Sequence, residues 1–383
     1  MITQFFTQLA IFDAITGESL AIIPMDNVSE IRYSRVLNGI GKIAVTFPSN
    51  TPHAAAFSLD NFLEVYRTDP ITEDLTKEET YLIRIVERMV EEGEEWIVIG
   101  GMSLNHLLTR RIIDPDDDPL VAGGYTTKAG LADQVIAQYV DEQLGPSASV
   151  ARQIPNLTIK PPLNVGKPLG ARLQHEKLWN EVKRMAIQGG VDIYIERTTG
   201  SSMQFAVEPI GQDKSYTTNF PGSAWVGFSL KRGNTESYEY KLDRSEDLNF
   251  AYALGPGNVG DRIILKVPGQ GVTDSPFNRT EFIQDARSIE KGDTLGLLSE
   301  AQGALAEKRY LEEYSFNPII GAPGSEYHLD WNLGDKVSAI LDSDIVVQEI
   351  IDLRIVEIEI NVNEGEETIN VTATTQWQIV DEF

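Results

Sequence analysis

The run Gly255-Pro-Gly-Asn-Val-Gly260 spells the glycine pattern with which a strand-to-helix turn cradles a pyrophosphate. That chemistry needs a strand before the run and a helix N-terminus after it. Here the next residues, Asp261-Arg-Ile-Ile-Leu-Lys-Val267, carry a strand pattern, and Pro256 sits inside the turn. The run reads as a connection between two strands. Asp114-Pro-Asp-Asp-Asp118 has the acidic look of a calcium loop, but the sixth and twelfth places hold Pro119 and Tyr125, where glycine and a bidentate glutamate belong. It reads as a surface acidic loop, with adventitious cation binding left open. His53, His106, His175 and His328 are scattered and form no HExxH helix, and no G-x-S-x-G elbow is present.

Carboxylates are abundant, so residue types alone do not exclude a glycosidase-like pair. Such a pair needs one carboxyl held in an apolar or like-charged pocket, which spacing does not show. Trp225, Trp331, Trp377 and Tyr327 suit either a sugar-stacking platform or a core or interface. The sequence assigns no catalytic residue, no metal ligand and no cofactor.

Composition narrows the classes further. There are 58 Asp plus Glu against 32 Lys plus Arg, a formal net charge of -26, and no cysteine. A field of that sign repels phosphate, which excludes tight non-specific DNA binding through counterion release. It serves solubility, or it lines a surface past which DNA slides without sticking. The missing cysteines remove disulfides, thiolate metal sites and cysteine nucleophiles. No apolar run approaches the roughly 20 residues of a membrane helix, and the N-terminus lacks the features of a secretory signal. Folding in the cytoplasm is the expectation. At 383 residues, two or more packed units are expected.

The elements that must position these residues are mostly strands. Residues 28–37 and 42–47 flank Asn38-Gly-Ile-Gly41, where glycine is expected to supply the positive φ of a reversal. Further strands fall at 62–67, 81–90 and 96–99. Helical stripes follow at 128–144, stopping at Gly145-Pro146, and at 173–188, stopping at Gly189-Gly190. The Pro-rich span 154–168 between them reads as extended loop. Strands resume at 191–196, 203–208, 225–230, 237–242, 250–254 and 262–267. A third helix is expected over 297–314, weakened in its middle by Gly303. Strands at 327–331, 336–341, 345–362 and 368–373 close the chain. In Val356-Glu-Ile-Glu-Ile-Asn-Val362 every second residue is apolar, so one face is buried and the other is acidic.

The two β ends repeat each other. Asp60-Asn-Phe-Leu-Glu-Val-Tyr66, a long strand from Tyr81, Glu92-Gly-Glu-Glu95 and Trp96-Ile-Val-Ile99 form one series. Asp335-Lys-Val-Ser-Ala-Ile-Leu341, a long strand ending at Val362, Glu364-Gly-Glu-Glu367 and Thr368-Ile-Asn-Val371 form the other. The order is short strand, long strand, an identical turn and a closing strand.

Two middle segments resemble a known family. Ala132-Asp-Gln-Val-Ile-Ala-Gln-Tyr-Val140 leading to Ala151-Arg-Gln-Ile-Pro-Asn-Leu157 is similar to the helix-and-loop segment of siphophage tail hub proteins. Leu230-Lys-Arg-Gly-Asn234 with Asn249-Phe-Ala-Tyr-Ala-Leu-Gly-Pro-Gly-Asn-Val-Gly-Asp-Arg262 resembles that family's strand, glycine-rich turn and arginine. Trp331-Asn-Leu-Gly-Asp-Lys-Val337 resembles the opening of its last β domain. The matching positions are Arg232, Asn249, Gly255, Gly257, Gly260, Arg262, Trp331, Gly334 and Asp335, all structural.

The resemblance implies an α+β, mainly β fold. Two tube-like antiparallel β-barrel domains, at 1–112 and 291–383, would flank an inserted α/β lateral region at 113–290. It also implies a homotrimer whose paired units build a pseudo-sixfold ring, related to the baseplate hub of contractile-tailed phages. The expected partners are the tail tube, the distal tail protein, the tape measure protein and other tip or fibre proteins. DNA is met only in transit, no membrane insertion is expected, and the place is the virion tail tip, assembled in the host cytoplasm. Glu87, Glu91, Glu357 and Glu359 are the candidate lumen-facing acids, with the outer wall as their alternative. Many relatives carry a C-terminal extension for receptor binding or peptidoglycan hydrolysis, whereas this chain stops at Phe383. The rival readings are a carboxylate-based peptidoglycan hydrolase and a carbohydrate-binding baseplate module.

Overall fold

The computed structural model describes residues 7–52, 54–69, 72–91, 93–115, 124–222, 225–258, 260–287, 289–341, 349–363 and 366–375. The first stretch folds as strands β1 (Thr7–Phe12), β2 (Ser19–Pro24), β3 (Glu30–Val36), β4 (Lys42–Pro48), β5 (Phe62–Thr68), β6 (Leu75–Glu91) and β7 (Glu94–Ser103). Alternation dictates this: Ile31 and Tyr33, Ile43, Val45 and Phe47, and Ile97 and Ile99 all point into one core. At the reversal between β3 and β4 the positive φ belongs to Asn38, at 53°, and to neither glycine. Gly41 is needed for another reason, because a Cβ there would lie 2.2 Å from the Ser34 carbonyl oxygen.

The middle holds β8 (Thr126–Leu131), α1 (Ala132–Leu144), β9 (Leu157–Ile159), β10 (Pro168–Leu173), α2 (Leu178–Gly189), β11 (Asp192–Arg197) and β12 (Met203–Glu208). Val135, Ile136, Tyr139 and Val140 of α1 meet Val182, Met185 and Ala186 of α2 in a second core. Helix α1 stops where the Gly145 amide donates to the Val140 and Asp141 carbonyls, and α2 stops at Gly190 in the left-handed conformation. The span expected as loop includes β9, which pairs in parallel with β12.

Next come α3 (Tyr216–Asn219), β13 (Gly227–Phe228), β14 (Thr235–Asp243), β15 (Phe250–Leu254), β16 (Ile264–Pro268), β17 (Glu281–Asp285) and α4 (Thr294–Glu307). The strand expected at 225–230 shrinks to two residues. The Asn234 side chain takes the Gly227 carbonyl and the Ser229 amide, which removes them from a ladder. β15 sits between β16 and β17 with α4 packed on them, a third small core of Ala251, Ala253, Leu297 and Ala301. The glycine run 255–260 joins the antiparallel pair β15 and β16, as its residues implied, with φ of 123° at Gly257 and 103° at Gly260.

The last stretch is β18 (Leu311–Pro318), β19 (Lys336–Leu341), β20 (Glu349–Asn363) and β21 (Glu366–Thr374). Here the expected third helix is corrected: α4 ends at Glu307, and the chain continues as β18. The Tyr314 and Phe316 alternation, buried between β14 and β21, outweighs the helical reading. Residues 327–331 are not a strand either. They form a turn with His328 at φ 69°, in which the Glu326 amide donates to the Asp330 carboxylate and Trp331 stacks on Tyr327.

The β strands of both ends share one large sheet, in the order β14, β18, β21, β20, β3, β4, β7, β6, β5, β1, β2, with β19 on β20 and β13 on β19. They also share one core, in which Ile31, Tyr33, Val45 and Ile99 pack with Phe316, Trp331, Ile358, Ile360 and Val371. Among the described residues, no helix is long and apolar enough to cross a membrane.

Candidate assembly site

The repeat legible in the sequence is a repeat in hydrogen-bond register. In the first hairpin Leu82 faces Met102 and Glu91 faces Glu94; in the second Arg354 faces Thr374 and Asn363 faces Glu366. Every pair between these limits corresponds at a constant offset. Each long strand also carries an extra unpaired residue at the same place: Arg84, between Ile83 and Ile85, and Val356, between Ile355 and Glu357. The short strands correspond as well. The Asp60 amide donates to the Ile83 carbonyl and the Ile83 amide to Asn61, while Gly334 and Asp335 hold Ile355 in the same way. This aligns Asn61 with Asp335, one residue away from the match of Asp60 with Asp335 suggested by residue identity.

Neighbouring strands continue the correspondence. β4 and β3 follow β7 in the first unit, and β18 and β14 follow β21 in the second. The units are joined where β20, beyond its bulge, pairs with β3: Glu357 faces Val36, Ile360 faces Tyr33 and Asn363 faces Glu30. Arg32 Nε donates to Glu359 Oε1 across this junction at 2.7 Å.

Buried ion pairs fasten the units together. Arg67 of β5 makes a two-pronged contact with Glu367 of β21, at 2.7 and 2.8 Å. Glu78 of β6 accepts from Arg35 of β3 at 3.3 Å and from Tyr327 at 2.5 Å, and its second oxygen lies 2.6 Å from His328 Nε2. Burial alone would raise the Glu78 carboxyl, but Arg35 and then His328 hold it well below the usual carboxylate range. Beside it, burial pushes Glu79 up despite Arg35. The inserted region is tied to both units by Asp192, which accepts from Asn38 Nδ2 at 2.8 Å and from Arg354 at 3.0 and 2.6 Å.

These anchors were missed as sites in the sequence, though one signal was present. Arg67 falls in the apolar phase of Leu63 and Val65, and a charge in that phase asks for a buried partner. Nothing local announced that the partner would be Glu367.

The positions singled out by sequence are spread over the molecule. Trp331 is fully buried, with its Nε1 donating to the Ser325 carbonyl at 2.9 Å, and Tyr327 is buried beside it. Both are core, not a sugar platform. Asp335 is buried and accepts from the Gln212 amide at 2.7 Å and the Asn332 amide at 2.9 Å, with Lys214 Nζ at 2.8 Å. Gly334, at φ 88°, supplies the preceding turn. Asn249 braces the third core by accepting from the Thr280 amide at 3.0 Å and donating to the Asn278 carbonyl at 2.7 Å. Gly255 donates to Ile263, Arg262 is half-buried nearby, and Arg232 lies 4.3 Å over the Trp225 ring. Trp331, Gly334 and Asp335 come together; Arg232 and the Asn249 to Arg262 group stand apart from them.

Of the four candidate acids, Glu87 is exposed, and Glu357 and Glu359 are half-buried. Glu87 and Glu359 occupy equivalent places. Glu357 and Glu359 lie on the face opposite the buried Ile358, Ile360 and Val362. The Glu91 side chain lies outside the described residues, as do His53, Trp377 and Asp116 to Asp118. Asp114 is described, and it pairs with Arg152 at 3.3 Å. Among the described residues no group of three or more His, Asp or Glu is arranged to hold a metal ion.

Comparisons with known proteins find a matching family and a shared fold. The family described as Siphovirus ReqiPepy6 Gp37-like protein matches residues 9–374. A search of curated protein sequences finds no match. Among solved structures, the tail protein from Neisseria meningitidis MC58 is similar with a TM-score of 0.57 and 12% identity, covering 96% of each chain. The 43 kDa tail protein of prophage MuSo2 from Shewanella oneidensis gives 0.56 and 13%, covering 96% of this chain and 97% of that one. The chain also matches a structure of the Francisella PdpA-VgrG complex at 0.53 and 10%, spanning 54% of that chain.

Proposed function

The chain belongs to the Siphovirus ReqiPepy6 Gp37-like protein family, and from that premise we propose that it is a tail hub subunit that assembles as a homotrimer. The observation that carries the reading is the register-matched repeat. Two congruent β units per chain let three copies present six equivalent positions, so a threefold object can mate with a sixfold tube. In this reading residues 1–112 are one tube-like unit and 291–383, joined by β14 from within 113–290, the other, and the rest of 113–290 is the lateral region. The partners are the tail tube, the distal tail protein and the tape measure protein, with fibre or other tip proteins below, and the place is the virion tail tip.

The role is mechanical, not enzymatic. The ring holds the lower opening of the tail and lets tape measure and DNA pass. The acids at Glu87, Glu91, Glu357 and Glu359 line the channel and keep phosphate from adhering. The strand face that carries Glu357 and Glu359 points away from the core, which supports that placement.

Mass measurement combined with low-resolution imaging of the purified protein tests the reading. A threefold ring with a central hole is expected. A monomer at every concentration overturns it, and so does release of soluble fragments from peptidoglycan.

A further inference from the structure

The long strand of each unit has room for two neighbours on its outer side, one before the bulge and one after. In β20 both places are filled, by β19 and then by β3. In β6 only the first is filled, by β5; among the described residues no strand lies beside residues 85–91 on that side. β14, the counterpart of β3, is bonded to β18 on one side and, among the described residues, to nothing on the other. The chain thus contains one completed junction and the two separated halves of a second.

We propose that residues 85–91 of one copy pair antiparallel with residues 237–243 of the next copy, in the register of the completed junction. The inference rests on the ring reading and specifies its contact. The β3 and β14 ladders fix the correspondence, since Ile31 opposite Val45 matches Tyr238 opposite Phe316. Carried across, Ile85 stands opposite Asp243, Val86 opposite Leu242, Glu87 opposite Lys241 and Val90 opposite Tyr238.

The side chains fit this partner. Val86 is 39% and Val90 is 74% exposed, although their counterparts Ile358 and Val362 are buried; Leu242, their prospective neighbour, is 52% exposed. An open, apolar strand edge of this length is a liability in a lone chain, and it is relieved when a second copy covers it. Glu87 and Lys241 are opposite charges at directly facing positions. The contact uses different surfaces on the two copies, so it propagates from copy to copy until the ring closes.

The cysteine-free sequence gives a clean test. Facing residues of an antiparallel pair place their Cβ atoms about 4.5–5.5 Å apart, close enough for a disulfide after slight adjustment. The full chain carrying Val86→Cys and Leu242→Cys, mildly oxidised, should give covalent dimers and trimers on a denaturing gel. Neither single variant should give trimers, and Val86→Cys with Tyr238→Cys should cross-link several-fold less. Glu87→Lys should shift assembly to several-fold higher concentration, and adding Lys241→Glu should restore it.

A trimer by mass that fails to cross-link at 86 and 242 overturns this pairing and leaves the hub reading standing. Equal cross-linking by the displaced pair overturns the register. A wild-type monomer at all concentrations removes the hub reading itself, and this contact with it.

Discussion

Glu78 is a fully enclosed carboxylate that touches Arg35, Tyr327 and His328, and so reaches from the first β unit into the second. Removing its charge while keeping its shape takes from Arg35 its most deeply buried carboxylate and leaves it Glu79, at 3.5 Å. Glu78→Gln should lower the unfolding free energy by about 3 kcal/mol, read by denaturant titration. The pH dependence has a definite sign. Because the folded carboxyl is depressed, its contribution is complete above the ordinary glutamate range, about 4.3, and is lost progressively as pH falls from there to the lowered folded value. Wild type should therefore lose stability more steeply than Glu78→Gln in strong acid, which melting curves across pH will show. Trp331 makes an apolar counterpart. It is fully buried against Tyr327 and Phe228, so Trp331→Ala should cost about 3–5 kcal/mol by the same titration.

At the scale of elements, turns are where single residues decide. A Cβ at Gly41 meets the Ser34 carbonyl oxygen, a backbone atom that cannot swing aside. Gly41→Ala should destabilise the chain by about 2 kcal/mol, visible as a lowered melting temperature. Elements with a strong local period were legible. The glycine stops of α1 and α2 and the long strands of the two terminal hairpins stand close to where the residues place them, whereas both helices start later than expected, because 128–131 belong to β8 and Leu173 ends β10. The third helix was overextended because residues 308–314 carry no breaker, and only pairing with β14 and β21 turns Leu311–Pro318 into a strand. Gly303 reads as a weakness in isolation, yet in the fold the Gln188 side chain of α2 lies against it. The ion pairs were illegible for a similar reason. Arg67 and Glu367 are joined by tertiary proximity alone.

For the whole molecule, the sheet that unites both termini is the feature no local pattern discloses, since β3 and β20 lie at opposite ends of the sequence. Cooperative unfolding of the two terminal units follows from their shared core. A calorimetric scan should show them melting in one transition, whatever the third small core does separately. The net charge of -26 predicts no retention of DNA by the purified protein at physiological salt, measurable by mobility shift.

The extra residue kept at Arg84 and again at Val356 is a beat that the facing strand does not share. Ile355 and Val356 are both buried while Ala373, Thr372 and Val371 opposite run on unbroken, so deleting Val356 would leave 357–363 on the faces they already occupy. Ile358, Ile360 and Val362 would stay inside and Glu357 and Glu359 outside, and what would go is the local bend between the stretch of β20 that meets β19 and the stretch that meets β3.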